Sequence, residues 1–340
     1  MKKRMLQGVV EMGHGSGGRT SAQLIEQLFI HYFDNAWLRA GNDFALFERP
    51  AGRVVMSTDS HVITPLFFAG GDIGSLAVHG SINDVAMSGA KPLYLSAAFI
   101  LEEGLPLAEL ERVVVSMARA SRDAGVPIVT GDTKVVERGK GDGVFITTTA
   151  IGVVPEGVNI AGSHAQVGDK IVLSGGIGEH GVAVLSSREG LDFRTAITSD
   201  SAALHTLVAA MIAAEPNIHA LRDPTRGGVA TTLNELAKQS TVGMRIDESA
   251  IAVKAEVKGA CELLGLDPLY MANEGKLVAI VPANRADQLL AVMRQHPLGR
   301  DAAVVGEVVE DDRCMVVMKT RLGGHRVVDW LAGEQLPRIC

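Results

Sequence analysis

Short glycine-rich clusters recur along this chain of 340 residues, and several of them stand between a strand-like apolar run and a helix-like stretch. Glycine is abundant, at 38 residues, which is about 11% of the chain against a usual share near 7%. Backbone N–H groups at turns of this kind, at the start of a helix, are suited to binding phosphate oxygens. The pattern therefore predicts an α/β (α+β) chain with phosphate-binding turns.

A polar, glycine-rich stretch over residues 155–168 divides the chain, and we take it as a domain boundary. The length also fits two domains of ordinary size. Hydrophobic periodicity predicts strands over 54–58, 93–101, 126–130 and 144–154 in the first half, with helices around 24–29 and over 76–88 and 107–124. It predicts strands over 170–174, 277–281, 303–309 and 315–318 in the second half, with helices over 202–214, 229–239, 257–264 and 285–295.

The composition excludes several classes of protein. A net charge of -7 and an aromatic content of 4% argue against a nucleic-acid-binding surface. No apolar run of signal-peptide length follows the basic residues 1–4, and none approaches the about 18 apolar residues of a membrane span. The three cysteines match no zinc or disulfide pattern. We therefore expect a reduced, cytoplasmic protein with no nucleic-acid or membrane partner.

Three aspartates stand beside small polar residues in the first half of the chain. Asp59 and Asp132 are predicted at the ends of strands, and Asp84 is predicted on a helix. Mg²⁺ prefers oxygen ligands and is commonly bound together with substrate phosphates, at strand ends beside helix N-termini. Each aspartate alone is more often a helix cap or a turn residue, but their joint presence predicts a metal site. Asp72, on a glycine-containing loop, is a fourth candidate.

Two motifs of the second half also carry reactive side chains. The segment 223–228, Asp-Pro-Thr-Arg-Gly-Gly, places a carboxylate, a hydroxyl and a guanidinium at the start of a predicted helix, where Arg226 is expected to pair with phosphate oxygens. Glu274, in Asn-Glu-Gly-Lys, is a general base, a metal ligand or part of a surface turn. His14 and His180 lie in glycine loops rather than on apolar faces, and the sequence shows a partner for neither.

The chain ends on a cysteine, Cys340, in the tail Leu-Pro-Arg-Ile-Cys. Chain ends are mobile unless another part of the protein docks them, so a terminal thiol is able to visit a second site, carry a covalent group or bind a soft metal. Prenylation is excluded, because that signal places the cysteine four residues from the end. The alternative is a frayed end whose cysteine is incidental. Residues 320–340 are predicted to form an extended tail without strand or helix periodicity.

The motifs occur in one order along the chain, and that order resembles the superfamily of aminoimidazole ribonucleotide synthetase and selenophosphate synthetase. The C-terminal Pro-Arg-Ile-Cys narrows the resemblance to the carbamoyl dehydratases that mature [NiFe]-hydrogenases. The resemblance covers essentially the whole chain. It is carried by the segments 13–18, 57–60, 83–86, 130–134, 223–228, 273–276 and 337–340.

The resemblance implies a two-domain, PurM-like fold in which the N-terminal domain forms a β-barrel across a homodimer and the C-terminal domain is α/β. The implied organisation is a glycine-rich loop segment over 1–40, an ATP-binding and dimerisation domain over 41–155, an α/β domain over 156–320, and a flexible tail over 321–340 that ends in a reactive cysteine. ATP and Mg²⁺ are then expected in the cleft between the domains.

The resemblance also assigns roles to residues of this chain. Cys340, Glu274 and Lys134 are expected to be catalytic, with Glu274 as the base, and Asp59, Asp84 and Asp132 are expected to hold Mg²⁺. The nucleotide contacts are expected from His14, Gly15, Gly17, Gly18, Asp72, Asn83, Thr133, Lys134, Arg226, Gly227 and Gly228.

The implied activity is ATP-dependent dehydration of a carbamoyl group on Cys340 to a thiocyanate. The expected partners are the carbamoyltransferase HypF, which loads the cysteine, and the iron-carrying HypC–HypD complex, which receives the cyanide. A selenophosphate synthetase is disfavoured, because such enzymes place their key cysteine near the N-terminus and no cysteine here precedes Cys261. A non-enzymatic scaffold that ferries iron or nickel on the terminal thiol is also disfavoured, because one thiolate is a weak metal site.

Overall fold

The computed structural model describes residues 6–48, 50–189, 197–331 and 338–339. Its N-terminal domain contains the helices α1 (Arg19–Leu24), α2 (His31–Phe33), α3 (Ala36–Arg39), α4 (Ile73–Met87) and α5 (Leu107–Ala124), and a π-helical turn over Ile25–Ile30 joins α1 to α2. Its strands are β1 (Arg53–His61), β2 (Phe67–Phe68), β3 (Gly71–Asp72), β4 (Lys91–Glu102), β5 (Ile128–Val136) and β6 (Val144–Val154).

The C-terminal domain contains the helices α6 (Glu179–Glu189), α7 (His205–Ala214), α8 (Gly228–Ser240), α9 (Ala255–Leu264) and α10 (Ala286–Gln295). Its strands are β7 (Lys170–Leu173), β8 (Ala220–Arg222), β9 (Gly243–Asp247), β10 (Val278–Val281), β11 (Ala303–Val309), β12 (Val316–Lys319) and β13 (His325–Val327). No helix in the described ranges is long and apolar enough to cross a membrane.

The N-terminal domain is a four-stranded sheet in the order β1–β6–β4–β5, with β4 and β5 parallel and the other pairs antiparallel. Helix α4 packs on the sheet: Thr148, fully buried on β6, donates a hydrogen bond to the backbone oxygen of Ala77 on α4 (2.8 Å). Helix α5 buries its apolar stripe, as its amphipathic spacing predicts, and ends at Gly125, whose φ of 68° suits glycine. Strands β1 and β5 are the two edges of this sheet.

The C-terminal domain is a seven-stranded sheet in the order β13–β12–β9–β11–β7–β10–β8, in which only β9 and β12 pair in parallel. Side chains alternate between its two faces. On β7, Ile171 and Leu173 pack in one hydrophobic cluster with α8, whereas Val172 packs in another with α7 and α10. Helices therefore cover both faces, and the predicted α/β (α+β) fold class with two domains is confirmed.

Two details of the sequence prediction are wrong for the N-terminal domain. Asp59 and Asp132 lie within β1 and β5 rather than at their ends, because both strands continue for two to four residues beyond the aspartate. The predicted loop over 67–72 contains a short antiparallel hairpin, β2–β3. Two strands of the C-terminal domain, β8 and β9, were not predicted.

The start of the predicted tail is also different in the structure. Residues 320–340 lack strand periodicity in the sequence, yet β13 pairs antiparallel with β12. Directly after it, the N–H of Val328 donates to the backbone oxygen of Val316 (2.8 Å), and Val328 is fully buried. The sheet therefore extends to residue 327, and the segment over 332–337 and Cys340 lie outside the described residues.

Candidate active site

A cavity of about 740 Å³ lies between the two domains. Strand β1 and helix α4 contribute its N-terminal wall, and the loop before α8 contributes its C-terminal wall. The polar residues that line it are Ser57, Asp84, Ser88, Arg222, Asp223, Thr225, Arg226, Thr231, Thr232 and Glu235. The sequence motifs 57–60, 83–86 and 223–228 therefore meet at one place, as the resemblance implies.

Asp84 on α4 lines this cleft, and Asp59 on the neighbouring strand β1 lies next to it. Asp84 on α4 accepts a hydrogen bond from the Ser57 hydroxyl on β1 (2.6 Å). Burial raises the pKa of Asp59 to about 6, and the adjacent negative charge of Asp84 and a hydrogen bond to it add to the shift, whereas Arg226 opposes it. Two adjacent carboxylates repel each other when both are ionised, and a cation bound between them relieves that repulsion.

The start of α8 forms the opposite wall. Burial, followed by the charge of Asp84, raises the pKa of Asp223 to about 7. Gly227 and Gly228 have φ values of 77° and 62°, in the region that favours glycine. A Cβ on Gly228 would lie 2.4 Å from the backbone oxygen of Leu269, so this glycine is required for close packing as well as for the turn. The turn at the start of α8 therefore requires glycine, and its binding of phosphate stays a prediction.

Glu274 is buried beside this cluster. One of its carboxylate oxygens, Oε1, has no hydrogen-bond partner among the described residues. Burial raises its pKa well above the ordinary value, and the charges of Asp223, Asp200, Asp59 and Asp84 raise it further. Glu274 is therefore part of the acidic cluster and not of a surface turn.

Asp200 holds the loop that carries Glu274. Its carboxylate accepts the N–H of Glu274 (3.1 Å) and that of Gly275 (3.3 Å), and it pairs with Lys276 (2.9 Å) in a largely buried ion pair. A Cβ on Gly275 would lie 1.8 Å from the backbone oxygen of Asp200. This contact explains why the motif has glycine after the glutamate.

Asn83 and Asp72 already have structural partners. The Asn83 amide donates to the backbone oxygens of Ala202 (3.0 Å) and Glu274 (3.3 Å), and its oxygen accepts the N–H of Leu204 (2.7 Å). Asp72 caps α4 by accepting two N–H groups of its first turn. These contacts account for both residues as positioning residues, and their predicted contacts with a nucleotide stay predictions.

A second, smaller cavity of about 230 Å³ lies on the other edge of the N-terminal domain. Its walls come from the N-terminal glycine loop and from β5, and the predicted site residues that line it are His14, Gly15, Gly17, Asp132, Thr133 and Lys134. Gly18 caps the start of α1 nearby. Within this cavity the Lys134 ammonium pairs with Asp132 (2.7 Å), and hydrogen bonds from Lys134 are the largest cause of the lowered Asp132 pKa.

The two cavities are separate within one subunit. Asp59 faces Thr148 on β6, Thr148 faces Ala97 on β4, and Ala97 faces Gly131 on β5. Three strand spacings lie between Asp59 and the residue before Asp132, which is about 14 Å. The structure therefore brings Asp59 and Asp84 together and leaves Asp132 apart from them.

The residues of the large cleft fit a divalent cation bound together with phosphate. Among the residues that the structure describes, no group of three or more His, Cys, Asp or Glu side chains forms a ready metal centre. Mg²⁺ does not need one, because it commonly keeps several waters and uses one or two carboxylates with substrate phosphates. Asp59 and Asp84, whose side chains lie next to each other, supply such a pair.

Three features of the site were not found in the sequence. Asp200 stands in no recognisable motif, Asp223 was noted only as one member of its helix start, and His180 had no visible partner. In the structure, His180 contacts Ser199 and the backbone of Ile339, which lies 159 residues away. Only the tertiary fold reveals contacts at such separations.

The fold and this cleft define a two-domain protein of the class related to AIR synthase. The family model for the N-terminal domain of AIR synthase related proteins matches residues 41–154, and the model for their C-terminal domain matches residues 166–319.

Individual relatives narrow the class. Carbamoyl dehydratase HypE of Cupriavidus necator is 69% identical over 98% of this chain and 95% of its own length. A crystal structure of the hydrogenase maturation protein HypE in complex with ATP is 52% identical, with a TM-score of 0.93 over 97% of this chain and 99% of that one. HypE in a HypE–HypF complex is 49% identical, with a TM-score of 0.80 over 91% and 99% of the chains. The chain belongs to the HypE family of carbamoyl dehydratases, as the motifs predict.

Proposed function

We propose that this protein supplies cyanide for [NiFe]-hydrogenase maturation by dehydrating a carbamoyl group on Cys340 to a thiocyanate at the expense of ATP. The observation that carries the proposal is the cleft in which Asp84 faces the glycine turn of α8, with Asp59 next to Asp84 and Glu274 buried nearby. A relative with the same fold binds ATP, and a relative 69% identical to this chain is a carbamoyl dehydratase.

The chemistry explains why such a cleft is needed. An amide oxygen is a poor leaving group, and transfer of the γ-phosphoryl group of ATP to that oxygen turns it into phosphate. Loss of the two N–H protons and departure of phosphate then leave the C≡N bond on sulfur, with ADP and phosphate as the other products. Phosphoryl transfer of this kind depends on positioning and on stabilising charge around the phosphates.

Residues on both walls of the cleft can stabilise the phosphate charge. Bound Mg²⁺ would neutralise phosphate charge, and Asp59 and Asp84 are the residues that would hold it. Arg226 and the backbone N–H groups at the start of α8 face the same cavity, where guanidinium and helix-start donors bind phosphate oxygens.

Glu274 is proposed to accept the protons of the amide nitrogen. A general base works best when its pKa lies near the operating pH, and burial among carboxylates moves the pKa of Glu274 upward from its ordinary range. Positive charge brought in with the substrate would lower that pKa again, which frees the carboxylate to act. Oε1 of Glu274, which has no hydrogen-bond partner among the described residues, is the atom available for this proton.

A homodimer is proposed to complete the site. Asp132 and Lys134 lie on edge strand β5, and Asp59 lies on edge strand β1 of the same open sheet. When two such sheets close into a barrel, β5 of one subunit beside β1 of the other brings Asp132 and Lys134 to the Asp59–Asp84 pair. This arrangement places the smaller cavity, with His14 and its glycine loop, next to the larger one.

The proposed partners follow from the same chemistry. The HypF carbamoyltransferase loads Cys340, and a HypE–HypF complex is known for a relative. The HypC–HypD complex with its iron is the proposed acceptor of the cyanide. Both exchanges place the reaction in the reducing cytoplasm, where the thiol of Cys340 stays free.

The proposal is tested by the mass of the C-terminal peptide. The protein is incubated with HypF, carbamoyl phosphate and ATP, and the peptide that contains Cys340 is weighed over time. A gain of one carbamoyl group followed by a loss of one water is the expected result, and Cys340→Ala should show neither. A peptide that is never modified in the wild-type protein contradicts the proposal.

A further inference from the structure

Ile339, in the C-terminal tail, lies in a docking site formed by other parts of the chain, and we propose that His180 is the positioning residue that holds the tail there for dehydration. This inference rests on the proposed function and adds a residue to it. Ile339 is buried, with 4% of its surface exposed. Its backbone oxygen lies 2.8 Å from Nε2 of His180, in the first turn of α6.

The hydrogen bonds around His180 fix its tautomer. The Ile339 oxygen is only an acceptor, so Nε2 carries the proton and donates it. Nδ1 must then accept from the Ser199 hydroxyl (2.8 Å), and the Ser199 oxygen in turn accepts the N–H of Ser201 (3.1 Å). Burial lowers the pKa of His180, which favours the same neutral imidazole. Only one assignment of donors and acceptors satisfies all of these hydrogen bonds.

Both domains contribute to the docking site. The Phe68 ring, on the β2–β3 hairpin, meets the His180 imidazole edge-on at 5.5 Å. Arg188 on α6 donates to the backbone oxygen of Arg338 (2.7 Å), and the Arg338 guanidinium pairs with Asp142. Arg338 has a φ of 54°, a left-handed conformation that costs a non-glycine residue about 1–2 kcal/mol. The contacts on either side of it offset that cost and turn Ile339 inward.

One short segment of chain connects the docking site to the acidic cluster. Its residues 199–204 bind four partners in turn. Ser199 contacts His180, Asp200 holds the Glu274 loop, and Ser201 contacts His79 (2.9 Å). The backbone N–H of Leu204 binds Asn83. Two adjacent residues therefore relate the end of the tail to the proposed base, so docking at His180 sets the position of the tail relative to Glu274.

The two reactions at the tail, carbamoyl loading and dehydration, should respond differently to a change at His180. Loading by HypF needs the tail outside the cleft, whereas dehydration needs it docked. Replacing His180 with alanine removes the donor to Ile339 and should slow dehydration about tenfold to a hundredfold. Carbamoyl loading should be unchanged or faster, and the KM for ATP should not change. His180→Gln restores an N–H donor at the position of Nε2 and should recover most of the dehydration rate.

Tryptic cleavage after Arg338 tests the docking of the tail independently of enzyme activity. Trypsin cleaves after arginine, and the bond after Arg338 leads directly into the buried Ile339. His180→Ala should speed the release of the last two residues, seen as a mass change of the intact protein. The matched control is His219→Ala, because His219 is another hydrogen-bonded histidine of the same domain, paired with Asp169 (2.7 Å), but lies outside the docking site. It should leave both the cleavage and the reaction unchanged.

A second variant, away from the buried His180, tests the docking site even if His180→Ala fails to fold. Asp142 is only partly buried and pairs with Arg338 at the rim of the docking site, so Asp142→Asn should fold normally and accelerate the tryptic cleavage by a few fold. Unchanged cleavage in both variants overturns the docking site, whatever the activity. Wild-type dehydration in His180→Ala, or an equal loss of loading and dehydration, overturns the positioning role. Absence of dehydration in the wild-type protein instead rejects the proposed function and leaves the cleavage result to decide the docking site.

Discussion

Asp59 and Asp132 lie on the two opposite edge strands of one four-stranded sheet, three strand spacings apart. The motifs that contain them predict one metal site, and no movement within a single folded sheet brings them together. The proposed closure of the sheet with a second copy would bring the two motifs to one site.

Mixed dimers test this arrangement. Asp84→Ala and Asp132→Ala should each abolish dehydration as homodimers. If Asp132 acts in the partner's cleft, a heterodimer of the two variants retains one intact site, because the wild-type Asp84 of one subunit meets the wild-type Asp132 of the other. Random mixing gives half heterodimers, and the expected activity is about a quarter of the wild-type value. Refolded mixtures or co-expressed tagged chains provide the measurement, and no recovery means that each subunit uses its own Asp132.

Gly275→Ala should inactivate the protein through the Glu274 loop. A Cβ at this position would lie 1.8 Å from the Asp200 backbone, so the loop must move and the hydrogen bonds of Asp200 must break. We expect a loss of stability of several kcal/mol, on the order of other overpacked buried sites, with loss of dehydration. Gly259→Ala is the matched control, because Gly259 lies in α9 with nothing within 4 Å of its Cβ position. Alanine there should stabilise the helix by up to about 1 kcal/mol, as urea unfolding will show.

Asp223→Asn should stabilise the protein increasingly as the pH rises. The folded pKa of Asp223 is raised from 3.8 to about 7, so the folded state keeps a proton that the unfolded state loses. Between these two values the free energy of unfolding of the wild-type protein falls with pH. The gain from asparagine should grow from under about 1 kcal/mol at pH 4 to as much as about 4 kcal/mol above pH 7.

The Asp223 prediction is measured by urea unfolding without nucleotide or divalent cation. Asp312→Asn, an exposed aspartate outside the cleft, is the control and should show no such trend. A gain that stays constant with pH would mean that the Asp223 carboxylate is not held in its protonated form. At neutral pH the Asp223 carboxylate lowers the stability of the folded protein. A residue that destabilises the cleft in this way is typical of a functional site, so we expect Asp223→Asn to impair the ATP-dependent reaction.

The regular elements of the fold were largely predictable from local patterns. The predicted bounds of α5 and β6 agree with the structure, because an amphipathic stripe closed by Gly125 and a strictly alternating strand carry strong signals. Strand β8 was missed because it is only three residues long, and β9 because its sequence, Gly-Met-Arg-Ile-Asp, has no sustained apolar run. The strand ends at Asp59 and Asp132 were misplaced because polar residues within edge strands resemble the start of a loop.

The site was predictable where its residues stand in motifs, and not where contacts link distant parts of the chain. Asp84, Arg226 and Glu274 were found from short motifs, and the structure places them at one cleft. Asp200 and His180 act through contacts with residues more than 70 positions away, which leave no local pattern. The separation of Asp132 from Asp59 became visible only from the order of the strands in the sheet. The motif around Asp132 gives no sign that the two residues lie on opposite edges.

The central claim is that the Asp59–Asp84 cleft dehydrates the carbamoyl group that Cys340 carries. The most direct measurement follows the mass of the C-terminal peptide in wild-type and Asp84→Ala proteins after loading by HypF and addition of ATP. The account predicts that both peptides gain a carbamoyl group and that only the wild-type peptide then loses one water. Loss of water from the Asp84→Ala peptide at the wild-type rate would contradict it.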